Sequence, residues 1–214
     1  MAQPDLPSIK NKLHDLRPEL TSFLQALVRT PSLPAHEASA QHLLADELRH
    51  LGLTVEIMPT NRKKIEHHPA FCDDGFSFEN RFNVVARWNR TNGPVTGRSL
   101  ILNGHIDVVP PGDQQLWKHG PWSGLVQNGK LYGRGACDMK GGIVAALFAL
   151  KALEQLGYLP AADIIFESVV GEESGGVGTL TAIVNGVTAD AAIIGEPTAL
   201  KICPVQSGAL TFRL

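Results

Sequence analysis

Apolar residues recur at helical spacing through the first fifty residues of the chain. Across Ser8–Val28 they stand three or four positions apart, which predicts an amphipathic helix that Pro18 kinks or splits. His36–Leu51 repeats the pattern, and Gly52 suits the C-terminal cap of this second helix. The prolines of Thr30–Pro34 predict a break between the two helices.

Beyond residue 53, short apolar runs alternate with segments of helical pattern. Apolar strands that alternate with helices indicate a sheet that is buried on both faces. We therefore predict an α/β fold, a mostly parallel sheet flanked by helices on both faces. The predicted strands are Thr54–Met58, Phe82–Trp88, Leu100–Leu102, Ile164–Val170 and Ala191–Ile194, and the predicted helices are Gly142–Leu156 and Gly178–Val184.

Two segments interrupt this alternation. Asn61–Asn80 is charged and irregular, and we predict a surface loop. It contains His67 and His68, for which a solvated loop is favoured over a metal site because no further ligand pattern surrounds them. Asn92–Pro94 predicts a turn.

Composition limits the classes of partner and compartment. The formal net charge of −2 gives no electrostatic reason to expect nucleic acid or an anionic membrane as the partner. The three cysteines are far apart and form no CxxC pair, which argues against a disulfide framework and favours a reducing cytoplasm. The N-terminus lacks the apolar core of a signal peptide, and no run reaches the roughly 20 apolar residues of a membrane span.

Candidate chemistry is concentrated where predicted strands end or a helix begins. In open α/β sheets, ligands bind at the edge formed by the carboxyl ends of the strands. One imidazole with several carboxylates suits a dication such as Zn²⁺, and adjacent acids in a Gly-flanked turn can supply one ligand and one general base. The candidate residues are His105, Asp107, Asp138, Glu172, Glu173 and Glu196.

Each of these features has an ordinary structural interpretation when taken alone. A histidine after a strand is more often structural, and Glu172–Glu173 in a Gly-rich turn is usually solvated. Gly133–Gly135 is not a dinucleotide fingerprint, because Asp138 occupies the third glycine position, and the GK[ST] ending of a Walker A loop is missing. Only the joint placement of these residues at one predicted sheet edge favours a metal site.

Five ordered segments then resemble the successive signatures of one family. They are NGHIDVVPPGD (Asn103–Asp113), WKHGPWSG (Trp117–Gly124), GKLYGRGACDMKGG (Gly129–Gly142), GEESGGVGTL (Gly171–Leu180) and IIGEPT (Ile193–Thr198). The family is that of the di-zinc amidohydrolases and peptidases, with acetylornithine deacetylase, succinyl-diaminopimelate desuccinylase, aminoacylase and glutamate-type carboxypeptidases. The resemblance implies a zinc-exopeptidase-like catalytic domain.

The resemblance also implies the metal ligands. His105 and Glu196 would bind one zinc, Asp138 would bridge two, and Glu173 would bind the second. Two zinc ions per full-length subunit are implied, and cobalt is a possible substitute. A cis peptide bond is implied directly after the bridging Asp138.

Further roles follow from the same resemblance. Asp107 would orient His105, and Glu172 would be the general base that later protonates the leaving amine. The implied reaction is attack of a zinc-bridging hydroxide on the amide of a small N-acylated amino acid. Two alternatives stay open: a carboxypeptidase or dipeptidase of the same family acting on a short peptide, and a catalytically inactive metal-binding fragment.

The family pattern also suggests a domain boundary. Residues 1–204 are predicted to be the N-terminal part of the catalytic domain, and Val205–Leu214 the first strand of a truncated lid and dimerisation domain. The family's full chain is longer and forms a homodimer. A later segment of its catalytic domain supplies a further histidine to the second zinc, and its lid supplies another histidine that stabilises the tetrahedral intermediate.

We accordingly predict that this chain alone binds one zinc more tightly than two. The first implied site keeps its histidine and two carboxylates, whereas the second keeps only Asp138 and Glu173. Calorimetric zinc titration of the purified 214-residue protein measures this directly. Two sites of equal affinity would refute the prediction.

Overall fold

The computed structural model describes residues 5–88 and 96–205. The turn predicted at Asn92–Pro94 and all but the first residue of the strand predicted at Val205–Leu214 lie outside these ranges.

The first two helices form as the apolar spacing predicts, with one correction. Helix α1 (Leu6–Arg29) begins at Asp5, whose side chain accepts the backbone N–H of Ser8. It continues through Pro18, so the predicted split is wrong. Proline removes one hydrogen bond, but α1 packs along a further helix of the chain, and that packing outweighs the local loss.

Helix α2 ends at the glycine that the sequence indicated. It spans Ala38–His50, and Gly52 follows it at φ +83°, donating its N–H to the carbonyl of Arg49 at 2.9 Å. The remaining helices are α3 (Arg62–Ile65), α4 (Lys140–Gln155), which is the partner of α1, and α5 (Val177–Val184), with a 3₁₀ turn at Gln114–Leu116.

Five of the seven strands in the described ranges form one mixed sheet in the order β1-β2-β6-β3-β7. β6, β3 and β7 pair in parallel, whereas β1-β2 and β2-β6 are antiparallel. The strands are β1 (Thr54–Pro59), β2 (Phe82–Trp88), β3 (Leu100–His105), β4 (Leu125–Gln127), β5 (Lys130–Tyr132), β6 (Ile164–Val169) and β7 (Ala191–Ile194).

The expectation of a mostly parallel sheet is therefore right for only half of the sheet. Parallel neighbours require a long crossover, which α4 provides between β3 and β6 and α5 provides on the way to β7. β1 and β2 are joined by a segment with only the four-residue α3, and they pair as antiparallel neighbours. The hairpin of β4 and β5, which a two-residue loop connects, was not predicted, because each of its strands is only three residues long.

Helices cover both faces of the sheet, as predicted. On one face α1, α2 and α4 bury Val84 and Ala86 of β2 together with Phe148 of α4. On the other face α5 packs against Val85 and Ile165. Successive β2 residues thus enter different clusters, which is the alternation of a strand buried on both sides.

The predicted surface loop at Asn61–Asn80 is only partly solvent-exposed. His67 and His68 are exposed, as expected. However, Ile65 is fully buried and packs with Val177 and Leu180 of α5, and the Asp74 side chain is also fully buried. The prediction missed this because charged residues surround the few that turn inward.

Every residue of β7 is exposed, and Ile193 and Ile194 each keep 58% of their surface accessible.

In the part of the chain described, no helix combines the length and apolarity needed to cross a bilayer.

The central packing of α4 leads to a stability prediction. Phe148 is fully buried in the larger core cluster, so Phe148→Ala should lower the free energy of unfolding by about 3–5 kcal/mol through lost burial and the resulting cavity. Urea denaturation followed by circular dichroism measures the change. Leu159→Ala is the control, since Leu159 is 61% exposed, and an equal loss in both variants would contradict the packing described.

Candidate metal centre

His105 stands at the centre of the candidate site. It is the last residue of β3, which extends three residues beyond the predicted strand, and its side chain is 1% exposed. Gly104 lets α4 approach closely, because a Cβ there would lie 2.7 Å from Cγ1 of Ile143. His105 therefore ends a strand whose backbone packs closely on α4.

Carboxylates converge on the Nε2 atom of this ring. Nε2 lies 3.1 Å from Oδ1 of Asp138, 3.6 Å from Oε1 of Glu196 and 3.8 Å from Oε2 of Glu172. Donor atoms within 4.8 Å of one another form two sets in the described residues, His105–Asp138–Glu173 and His105–Glu172–Glu196. The structure therefore brings the candidate ligands together at one place.

This arrangement fits a zinc-sized dication. Ligand atoms bind zinc at about 2.0–2.2 Å, so two ligands of one tetrahedral ion lie roughly 3.3–3.6 Å apart. The separations of Asp138 and Glu196 from Nε2 are close to that value. Glu172 belongs to one of the two sets, so proximity alone does not distinguish a base from a ligand, and its role stays a prediction.

Three different segments deliver the carboxylates. Glu172 and Glu173 lie in the turn between β6 and α5. Asp138 lies just before α4, and the Asp138–Met139 peptide bond is cis, as the resemblance implied. Glu196 follows β7 after Gly195. Gly142 of α4 packs so tightly on Gly195 that a Cβ at residue 142 would overlap the Gly195 carbonyl oxygen, which fixes the backbone beside Glu196.

Asp107 supports the site through two different groups. Its backbone carbonyl is 2.9 Å from Nδ1 of His105, whereas its carboxylate is 3.7 Å away. The carboxylate instead accepts the backbone N–H groups of Glu172 at 3.2 Å and Glu173 at 3.1 Å. Asp107 thus lies beside the imidazole as expected, but its carbonyl is the nearest acceptor. Its carboxylate anchors the turn at residues 171–176, called the acidic turn because it carries Glu172 and Glu173.

Burial and the neighbouring charges shift the pKa values of the ionisable side chains at this site. Burial raises the pKa of Asp107 and of Glu196 above their ordinary values, partly offset by His105. Burial followed by the neighbouring Asp138 raises the pKa of Glu173. Burial lowers the pKa of His105, but Asp107 and the surrounding carboxylates outweigh it and the net shift is upward. A bound dication relieves such repulsion between acids.

Two cavities adjoin the acids. A groove of about 860 Å³ is lined by His105, Asp138, Glu172 and Glu196. A smaller cavity of about 370 Å³ touches Glu173 and has a mainly apolar lining, formed in part by Leu33, Pro34, Phe76, Val109 and Pro110.

Comparison with known proteins identifies the family. The model of Peptidase family M20/M25/M40 matches residues 101–208, half of the chain. The chain belongs to this family. That match confirms the family expected from the five motifs.

Curated relatives of the M20 chain are deacylases by name. It is 38% identical over 196 residues to N-formyl-4-amino-5-aminomethyl-2-methylpyrimidine deformylase of Halalkalibacterium halodurans, covering 90% of the chain and 42% of the relative. It is 39% identical over 183 residues to succinyl-diaminopimelate desuccinylase of Methylorubrum extorquens, covering 83% and 43%. The chain therefore spans less than half the length of these relatives.

Solved structures show the same fold. The M20 family metallo-carboxypeptidase Sso-CP2 of Sulfolobus solfataricus matches with a TM-score of 0.67 at 24% identity, covering 83% of the M20 chain and 37% of that structure. Human carnosine dipeptidase 1 matches with a TM-score of 0.69 at 23% identity, covering 89% and 41%. At this identity the likeness concerns the fold, and it confirms the exopeptidase-like α/β architecture.

The sequence did not reveal the residues that support the acidic turn from behind. Asp74, Arg81 and Ser174 form this support. Asp74 lies in the segment interpreted as a solvated loop, and Arg81 lies just before a predicted strand. An isolated charged residue beside an apolar run carries no pattern that distinguishes a buried ion pair from surface charge.

The raised pKa of Glu196 predicts a stability effect in the metal-free protein. Its folded pKa exceeds its ordinary 4.5, so folding disfavours the ionised form, and stability falls as pH rises through the folded pKa. Glu196→Gln should therefore raise the melting temperature by about 1–3 °C at pH 8, equivalent to less than about 1 kcal/mol in a domain of this size.

The control for this measurement is Glu154→Gln, an exposed acid near the end of α4. Scanning calorimetry with a chelator present gives both melting temperatures. The gain at Glu196 should vanish near pH 4, where the acid is protonated in both states. A lower melting temperature for Glu196→Gln at pH 8 would contradict repulsion among the acids.

Proposed function

We propose that the protein carrying this chain is a metal-dependent hydrolase that cleaves the amide bond of a small N-acylated amino acid. The observation that supports this most is the group of carboxylates within 3.1–3.8 Å of the buried His105 ring. Membership of the M20 family supports the same conclusion.

In this proposal the ligands keep the roles that the resemblance implied. His105 and Glu196 would hold one zinc, Glu173 would hold the second, and Asp138 would contribute to both, with cobalt as an alternative metal. Bound dications supply polarisation of the amide carbonyl and a water of lowered pKa. The backbone carbonyl of Asp107 holds the ring of His105 with Nε2 facing the carboxylates.

The exposure and anchoring of Glu172 support its proposed role as the general base. Its side chain is 47% exposed and lines the groove, while its backbone N–H is held by the Asp107 carboxylate. The backbone is therefore fixed and the carboxylate stays accessible to a bound molecule. In the proposal, Glu172 removes a proton from the attacking water and then protonates the leaving amine nitrogen.

Deacylation is favoured over peptide cleavage by sequence similarity. The deformylase and desuccinylase relatives are 38% and 39% identical, whereas the carboxypeptidase and dipeptidase structures are 24% and 23% identical. Each deacylase name describes removal of an acyl group from an amine. A carboxypeptidase or dipeptidase acting on short peptides is the alternative within the family.

A second candidate substrate class is an N-formylated amine on an uncharged ring. The cavity beside Glu173 has the size and apolar lining for a flat heterocycle, with Phe76 on its wall. Its described lining residues include no lysine or arginine, which a succinyl carboxylate would favour. The similarity to the pyrimidine deformylase supports this candidate.

The remaining expectations stay part of the proposal. Residues 1–204 are proposed as the first part of the catalytic domain and 205–214 as the start of a lid and dimerisation domain. The full-length protein is proposed to be a cytoplasmic homodimer without nucleic-acid or membrane partners. A catalytically inactive metal-binding chain is the alternative for the 214 residues alone.

Glu172→Gln tests the proposed chemistry in the full-length protein. The substitution keeps the size and backbone contacts of Glu172 but removes its basicity, so kcat should fall by about 10²–10⁴ while zinc binding persists. Steady-state kinetics on N-acetyl, N-succinyl and N-formyl substrates, with zinc calorimetry in parallel, gives both quantities.

Glu154→Gln serves as the matched control and should leave kcat and zinc binding unchanged. Loss of zinc binding together with activity in Glu172→Gln would reassign Glu172 as a ligand. Full activity in that variant would exclude it as the base. The substrate with the highest kcat/KM separates the desuccinylase-like candidate from the deformylase-like one.

A further inference from the structure

The acidic turn is a tightly folded loop between β6 and α5. Gly171 adopts φ +69°, and its carbonyl accepts the N–H groups of Gly175 at 3.1 Å and Gly176 at 2.6 Å. These bonds close the turn on itself. They leave the position of Glu172 and Glu173 relative to the rest of the site to contacts from outside the turn.

On the side of His105, the turn is anchored by Asp107 as described above. On the opposite side it meets a buried ion pair. The Arg81 guanidinium donates to Oδ2 of Asp74 at 2.7 Å, and both side chains are fully buried. Oδ2 of Asp74 also accepts the hydroxyl of Ser174 at 3.2 Å, so the pair is bonded directly to the turn.

The Arg81 side chain lies directly against the backbone of the turn. A Cβ at Gly171 would lie only 2.5 Å from Nη2 of Arg81, whereas a Cβ at Gly175 would make an ordinary contact of 3.5 Å with Cβ of Asp74. The absence of a side chain at Gly171 therefore allows the Arg81 guanidinium to approach the turn. A shift of Arg81 toward Gly171 has to displace the turn.

The charges of this cluster keep it in place. Nη2 of Arg81 also donates to Oε1 of Glu37 at 3.1 Å, and Glu37 is 1% exposed. A buried guanidinium that loses its carboxylates is strongly unfavourable, so the bonds to Asp74 and Glu37 persist in the folded state. Because these bonds persist, the cluster gives the turn a fixed support.

We propose that Asp74 and Arg81 are positioning residues that hold Glu172 and Glu173 toward the metal-binding groove, acting through Ser174 and Gly171. The acidic turn is held between two carboxylates, Asp107 in front and Asp74 behind. The significance of this position for catalysis rests on the function proposed above, but the mechanical support does not.

Ser174→Ala tests the support with the smallest change. It removes the hydroxyl that bonds to Asp74 and leaves the buried ion pair and the acids in place. Backbone amide exchange at Glu172 and Glu173 should become about three- to tenfold faster, as expected for loss of one hydrogen bond, while the urea midpoint falls only slightly. Hydrogen exchange by NMR on the 214-residue protein provides this measurement.

Ser99→Ala is the matched control. Ser99 also bonds to an aspartate, with its Oγ 2.8 Å from Oδ2 of Asp190. Because Ser99 precedes β3 at the end opposite to His105, its loss should leave the two amides unchanged. Asp74→Asn extends the test by weakening the bond from Arg81, and it should speed exchange more than Ser174→Ala.

Zinc titration of the same variants in the full-length protein separates the two proposals. The inference predicts weaker zinc binding in Ser174→Ala, by about three- to tenfold, as the loosened turn carries the proposed ligand Glu173. Faster exchange of the Glu172 and Glu173 amides in a protein that binds no zinc would confirm that Asp74 and Arg81 hold the turn. It would at the same time refute the proposed function. Unchanged exchange in Ser174→Ala would refute the inference, even if Asp74→Asn fails to fold.

Discussion

The structure depends on holding several carboxylates around one buried imidazole. The pKa values of Asp107, Glu173 and Glu196 are raised, chiefly by burial, so folding places these groups where their ionised forms are disfavoured. Such a cluster persists only where the surrounding packing is rigid. This cost is characteristic of a site built for a bound dication rather than for stability.

The strands of the mixed sheet are covered unequally. In its antiparallel half, β2 is buried and lies against helices on both faces. Its parallel half brings the ends of β3, β6 and β7 to one edge, and His105, the acidic turn and Glu196 are found at or just after these ends. The exposed β7 lies in this second half, so the site stands beside an uncovered strand.

Close backbone contacts fix α4 and the acidic turn relative to the sheet. Because Gly104 and Gly142 lack side chains, α4 packs closely on the sheet and the segment after β7. The absence of a side chain at Gly171 likewise lets the Arg81 guanidinium lie against the acidic turn. The backbones of the two glutamates of that turn are thereby fixed, because their N–H groups also donate to the Asp107 carboxylate.

The sequence by itself determined the α/β class, most element boundaries and the identity of the acids and histidine that meet, because apolar periodicity and local motifs are properties of neighbouring residues. It did not determine the antiparallel half of the sheet, the continuity of α1 through Pro18, or which atom of Asp107 faces the imidazole. Nor did it show that Asp74 and Arg81 are buried behind the acidic turn. These depend on contacts between distant segments, where packing and desolvation decide which charges are buried, and only the tertiary structure fixes those contacts.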